Sequence, residues 1–96
     1  MHTPILTFTC NPEMYSQLLE IMRVALVDTR AFKGNISARP YASANSADEV
    51  ILVEEWDNAA SELQYLKWRR ETGLSELLKP IVAGPINRME LVSHFA

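Results

Sequence analysis

The sequence predicts an α+β fold of the split βαβ, or ferredoxin-like, kind: a four-stranded antiparallel sheet with two helices on one face, paired through the other into a dimeric α+β barrel. Three observations predict it. Along the 96 residues the apolar period switches between two and about 3.6 in the order β-α-β-β-α-β. The second strand contains Pro40, which lacks the N–H a central strand donates, so that strand belongs at a sheet edge, where this topology puts it. The third strand is apolar on both faces, with Leu52 and Trp56 on one and Ile51 and Val53 on the other, while two helices cover only one face. A second copy of the chain is the economical cover for the remaining face.

Each element has its own signal. Ile5 to Cys10 alternates, with Leu6, Phe8 and Cys10 on one side and Thr7 and Thr9 on the other, as a half-buried strand does. Asn11-Pro12-Glu13 then offers a cap, a proline suited to a first helical turn and an early acid at the positive end of the helix dipole. Met14, Leu18, Ile21, Met22 and Ala25 form the inward stripe of a first helix that runs to about Thr29. Gly34 closes the connection, and Ile36 to Ala42 is the second strand. The small polar residues from Ser43 to Asp48 form a hairpin connection to the third strand, Glu49 to Trp56. A second helix, capped by Asn58 or Asp57, turns Ala59, Leu63 and Leu66 inward and stops at Gly73. Leu74, Leu77, Leu78 and Ile81 make a short third helix, ended by Pro80 and Gly84-Pro85. Ile86 to Phe95 alternates again, with Met89, Leu91 and Phe95 opposite Arg88, Glu90, Val92 and His94.

Length and composition narrow the function. Ninety-six residues, 48% of them apolar, suit one domain over residues 1–96 with one modest core. The net charge of −3 and the lack of a lysine or arginine run argue against nucleic acid. Cys10 is the only cysteine, so an intrachain disulfide is excluded and a thiolate zinc site lacks ligands; a cytoplasmic setting is expected. No stretch has the length or apolarity of a signal peptide or a membrane span.

The residues give little nucleophilic or metal chemistry. No serine has nucleophile-elbow glycines, His2 and His94 lie at the chain ends, and there is no i, i+4 histidine pair, acidic cluster or glycine-rich phosphate loop. No metal or other cofactor is expected. Glu54 and Glu55 point to opposite faces of their strand, so at most one enters a given pocket; the commoner role for such glutamates is to pair with arginine or face water. The aromatic and basic residues point further. Tyr65 lies about 100° around the second helix from Leu66, and Trp68 lies nearly opposite the Leu63-Leu66 stripe. Trp56 is either plain core, its indole N–H bonded to a backbone carbonyl, or a pocket residue; Trp68 packs on the third helix or on a partner, or lines the same pocket. Arg39 and Arg69 are either salt-bridged at the surface or cationic groups in an apolar cavity between sheet and helices.

Three segments carry a resemblance to a known family: Thr29-Arg30-Ala31-Phe32-Lys33-Gly34, Glu54-Glu55-Trp56-Asp57-Asn58-Ala59-Ala60 and Tyr65-Leu66-Lys67-Trp68-Arg69-Arg70-Glu71-Thr72-Gly73. With them the chain resembles the antibiotic biosynthesis monooxygenase (ABM) family of small dimeric α+β barrels. The resemblance implies a homodimer and a cofactor-independent monooxygenase for a small aromatic, phenolic or quinol substrate that supplies its own electrons. By residue chemistry, Trp56, Tyr65 and Arg69 then take the catalytic roles, and Phe8, Arg39, Tyr41, Trp68 and His94 contact the substrate. The alternative is a non-enzymatic ligand-binding or regulatory module of the same fold. Haem-degrading relatives are a minor alternative, because their asparagine, tryptophan and histidine pattern is broken here: the first strand has threonines and Cys10, the helix position is Tyr65, and Gly73-Leu74-Ser75 has no histidine.

Overall fold

A computed structural model describes residues 1–92. The elements run β1 (Thr3–Thr9), a 3-10 turn (Pro12–Met14), α1 (Tyr15–Ala31), β2 (Asn35–Ala42), β3 (Glu49–Trp56), α2 (Ala59–Thr72), α3 (Leu74–Leu78) and β4 (Asn87–Leu91). The four strands form one antiparallel sheet in the order β2-β3-β1-β4. β2 is an edge strand, and Pro40 pairs only with Leu52 of β3. β3 has the bounds that its alternation predicts. β4 is shorter than the alternating stretch that announces it, and Phe95, expected on the face of Met89 and Leu91, and the substrate-contacting His94 lie outside the described residues.

β3 sorts the two faces. Val50, Leu52, Glu54 and Trp56 are buried toward the helices, whereas Ile51, Val53 and Glu55 are only half-buried on the opposite face. The strand register places Met89, Ile5, Val53 and Arg39 in one row across that second face, and Asn87, Thr7, Ile51 and Tyr41 in the next. The core fills the space between the sheet and the helices: Phe8, Cys10, Val50 and Leu52 meet Leu18, Met22 and Leu26 of α1 and Leu78 and Ile81 from α3 and the loop after it.

α1 keeps its predicted stripe in outline. Leu18 and Met22 are buried, but Leu26 and Thr29 complete the buried set, and Ile21 and Ala25 are half-buried. Asn11 makes no side-chain cap, because Pro12–Met14 enters the helix as a tight turn. α2 departs further. Asn58 caps it, accepting a 3.0 Å bond from the Ser61 amide, and Gly73 ends it at φ 81°. Its inward face is Glu62 and Tyr65, not Ala59 and Leu63; Leu63 is 64% exposed and Ala59 is also exposed. The helix is rotated because its polar groups find partners in the interior, and a buried polar group that is paired no longer opposes burial. Gly34 sets the approach of the α1–β2 turn to this helix: its φ is 95°, and a Cβ there would lie 2.5 Å from the Ser61 side chain. Among the described residues no helix is long and apolar enough to cross a membrane.

Candidate functional site

A cavity of about 640 Å³ opens between the helix-side face of the sheet and α1, α2 and α3. Leu6 and Phe8 of β1 and Leu52 of β3 form its floor, Met22 and Leu26 of α1 one wall, and Leu74, Val82 and Ile86 line the far side. A few polar residues line this apolar space: Glu54, Tyr65, Thr29 and Arg69. Arg70, Glu76 and Lys79 also line it from exposed positions. Small-molecule sites have this composition, a mostly apolar cavity with a few placed polar groups.

Tyr65 and Arg69 are one turn apart on α2, so they share a face. Arg69 Nε donates to the Tyr65 oxygen at 2.7 Å, and the Tyr65 and Thr29 hydroxyls share a 2.6 Å bond. With its oxygen taking the Arg69 donor, Tyr65 gives its own proton to Thr29, which donates in turn to the Ala25 carbonyl at 3.2 Å. Arg69 also donates to the Ala25 carbonyl and to Thr29, and stacks 4.7 Å from the Trp68 ring centre. Behind this pair, Phe32 packs edge-on against Trp56 and Tyr65 and at a tilt against Trp68, with ring centres 5.3–6.3 Å apart. The cluster packs around Arg69 at the cavity edge.

Glu54 is 2% exposed. Burial pushes its carboxyl above the usual range; the Trp56 hydrogen bond opposes that shift, and the nearby charge of Glu62 adds to it. The Trp56 indole Nε1 donates to Glu54 Oε1 at 2.9 Å. Glu62 has the opposite outcome. Burial acts to raise its carboxyl, but bonds from Arg88 and His2 outweigh burial and hold it below the ordinary value. Arg88 grips both Glu62 oxygens, His2 Nε2 lies 2.6 Å from Oε1, and Arg88 also donates to Glu90 at 3.0 Å. Among the described residues His2, Glu62 and Glu90 bring potential metal-ligand atoms within 4.8 Å of one another, but Arg88 donates to both carboxylates and does there what a cation would do.

The sequence pattern of the family described as antibiotic biosynthesis monooxygenase matches residues 1–72. The chain belongs to that family. Solved structures agree on the fold. A candidate antibiotic biosynthesis monooxygenase of Deinococcus radiodurans superposes with a TM-score of 0.88 at 18% identity, covering 100% of this chain and 95% of its own. One from Nitrosomonas europaea gives 0.88 at 13% identity, covering 99% and 100%. Rv0793 of Mycobacterium tuberculosis gives 0.75 at 22% identity, covering 99% and 96%. A comparison with curated proteins finds no match.

Within this ABM domain the cavity brings together Phe8, Tyr65 and Arg69 of the expected site residues. Trp56 does not line it. That residue is fully buried behind Glu54, with its indole on a carboxylate instead of the expected backbone carbonyl. Trp68 stacks on Arg69 and lines a second, smaller pocket between α1, α2 and α3. Arg39 and Tyr41 do not join the cavity: their odd positions in β2 place them on the opposite sheet face, Tyr41 50% exposed. Glu54, weighed with Glu55 from the sequence and left outside the expected site, lines the cavity. Its signal was its phase, since it alternates with Val50, Leu52 and Trp56 and must share their face.

Proposed function

We propose that this ABM domain is a cofactor-free monooxygenase for a flat phenol or quinol, bound in the cavity between sheet and helices, with Glu54 as the general base. The observation that carries this reading is a buried carboxylate in an apolar cavity that it shares with a phenol–guanidinium pair. Burial raises the proton affinity of that carboxylate toward the value a base needs near neutral pH. Glu54 takes the phenolic proton, Arg69 stabilises the resulting aryloxide by its charge, and Tyr65 holds the guanidinium through the Nε bond. For a phenol with hydrogen on its para carbon, the anion reduces dioxygen; one oxygen atom is kept as a new carbonyl and the other leaves as water with the two hydrogens lost. The substrate supplies every electron, so the scheme needs no flavin, haem or metal.

One observation favours a second reading, a ligand-binding module without turnover. The run from Arg69 through Tyr65 and Thr29 to Ala25 already satisfies its own hydrogen bonds, as a structural network does. Oxygen uptake decides between them. With quinols and polycyclic phenols, the purified protein should consume dioxygen in step with product and at the same rate with chelator present. Saturable binding without oxygen uptake would leave only the binding module.

The same proposal includes a homodimer, in which the face carrying Ile5, Ile51, Val53 and Met89 packs on a second copy. Met89 is 60% and Leu91 46% exposed, apolar surface that a partner sheet would bury. Sedimentation at micromolar concentration should return twice the mass of the chain; a stable folded monomer would remove the dimer.

A further inference from the structure

We infer that Trp56 is a positioning residue: it acts on the reaction through Glu54, pinning one carboxylate oxygen so that the other is presented to the cavity. The inference rests on Glu54 being the base. Glu54 and Trp56 are two apart on β3, hence on one face. The indole donates to Oε1 at 2.9 Å, and among the described residues nothing hydrogen-bonds Oε2, although Glu54 lines the cavity. Oε2 is therefore the oxygen left to take a proton.

The indole itself cannot yield. Trp56 is 0% exposed, its ring centre is 5.2 Å from Tyr65, and its backbone is tied to His2 by reciprocal bonds of 2.9 and 2.8 Å. A free glutamate carboxylate turns easily about its last torsion, which has a broad, roughly twofold potential. A base has to sit within hydrogen-bond reach of the proton it removes, so one locked oxygen replaces a rotating pair by a fixed acceptor. The indole N–H also opposes the upward push that burial gives the Glu54 carboxyl. The other charges that act on Glu54 are Glu62 and Arg69 from α2 and Arg88 from β4, and none of them is the partner of Oε1. Trp56 thus has a role that pure core packing would not give it.

The test separates donor from bulk. Site-specific replacement of Trp56 by benzothienylalanine exchanges the indole N–H for sulfur at nearly constant size, and Trp56→Phe serves as the simpler variant where it folds. The Glu54 carboxyl is titrated directly by its infrared carbonyl band, assigned by its loss in Glu54→Gln. Without the N–H, the midpoint should rise by about one pH unit or more, since a bond to a charged group is worth that much. In turnover, kcat at neutral pH should fall about tenfold or more with KM little changed, and the acidic limb of the rate profile should move up by the same interval. A folded benzothienylalanine protein whose Glu54 midpoint stays where it was would return Trp56 to plain core. The titration needs no turnover, so failure of Glu54 as the base, seen as full activity in Glu54→Gln, is distinguishable from failure of the Trp56 contact.

Discussion

Arg88→Ala is expected to destabilise the protein by about 2–4 kcal/mol, because it strips a buried carboxylate of its main partner. The Glu62 side chain is 3% exposed and keeps only His2 once the guanidinium is gone. The cost falls below that of a fully buried pair because the Arg88 side chain is itself 33% exposed and partly screened. In a domain of this length such a loss lowers Tm by roughly 10–20 °C, read at fixed protein concentration. The pH dependence follows from the lowered Glu62 carboxyl. A group whose proton affinity drops on folding stabilises the fold above its unfolded pKa, about 4.3, and loses that contribution as pH falls through its lower folded value. The gap between wild type and Arg88→Ala should therefore be largest near neutrality and close on acidification. Adding Glu62→Gln to Arg88→Ala should recover part of the loss, because no unpaired carboxylate then remains. A gap that persists unchanged at pH 3 would place the effect in packing and not in the ion pair.

That ion pair explains why the inward face of α2 was hard to read from the sequence. Periodicity weights leucine and alanine as inward, and Ala59, Leu63 and Leu66 satisfy it. The partners that draw Glu62 and Tyr65 inside, His2, Arg88 and Thr29, are 26 to 60 residues away along the chain, so no local window contains them. Where burial is apolar and period two, the reading was sound: β3 has its predicted bounds, and Phe8 lies on the cavity floor. Pro40 identified the edge strand because a missing N–H is a property of one residue, independent of distant partners. The same alternation assigns Arg39 and Tyr41 to the face away from the helices once Pro40 is paired with Leu52. What the sequence lacked was that register, and without it residue chemistry alone put both in the pocket.

Glu54→Gln is expected to lower kcat by about 10²–10⁴, the range that general-base catalysis commonly supplies. Glutamine keeps the shape and can still accept the Trp56 N–H through its carbonyl oxygen, so KM should change little. It cannot take the phenolic proton. The same substitution should raise stability at neutral pH. Burial raises the Glu54 carboxyl, so its folded-state advantage is fully present below the unfolded pKa and is lost as pH rises through the higher folded value. Above that value the fold carries an ionised, buried carboxylate, and glutamine removes the cost. For the wild type, turnover should rise with pH through the raised Glu54 value as the base ionises, over the interval in which the stability gain of Glu54→Gln appears. One titration would then govern both curves. Thermal denaturation and oxygen uptake measured over a common pH series provide the comparison. A variant that is more stable yet equally active would keep the buried carboxylate and remove it from the chemistry.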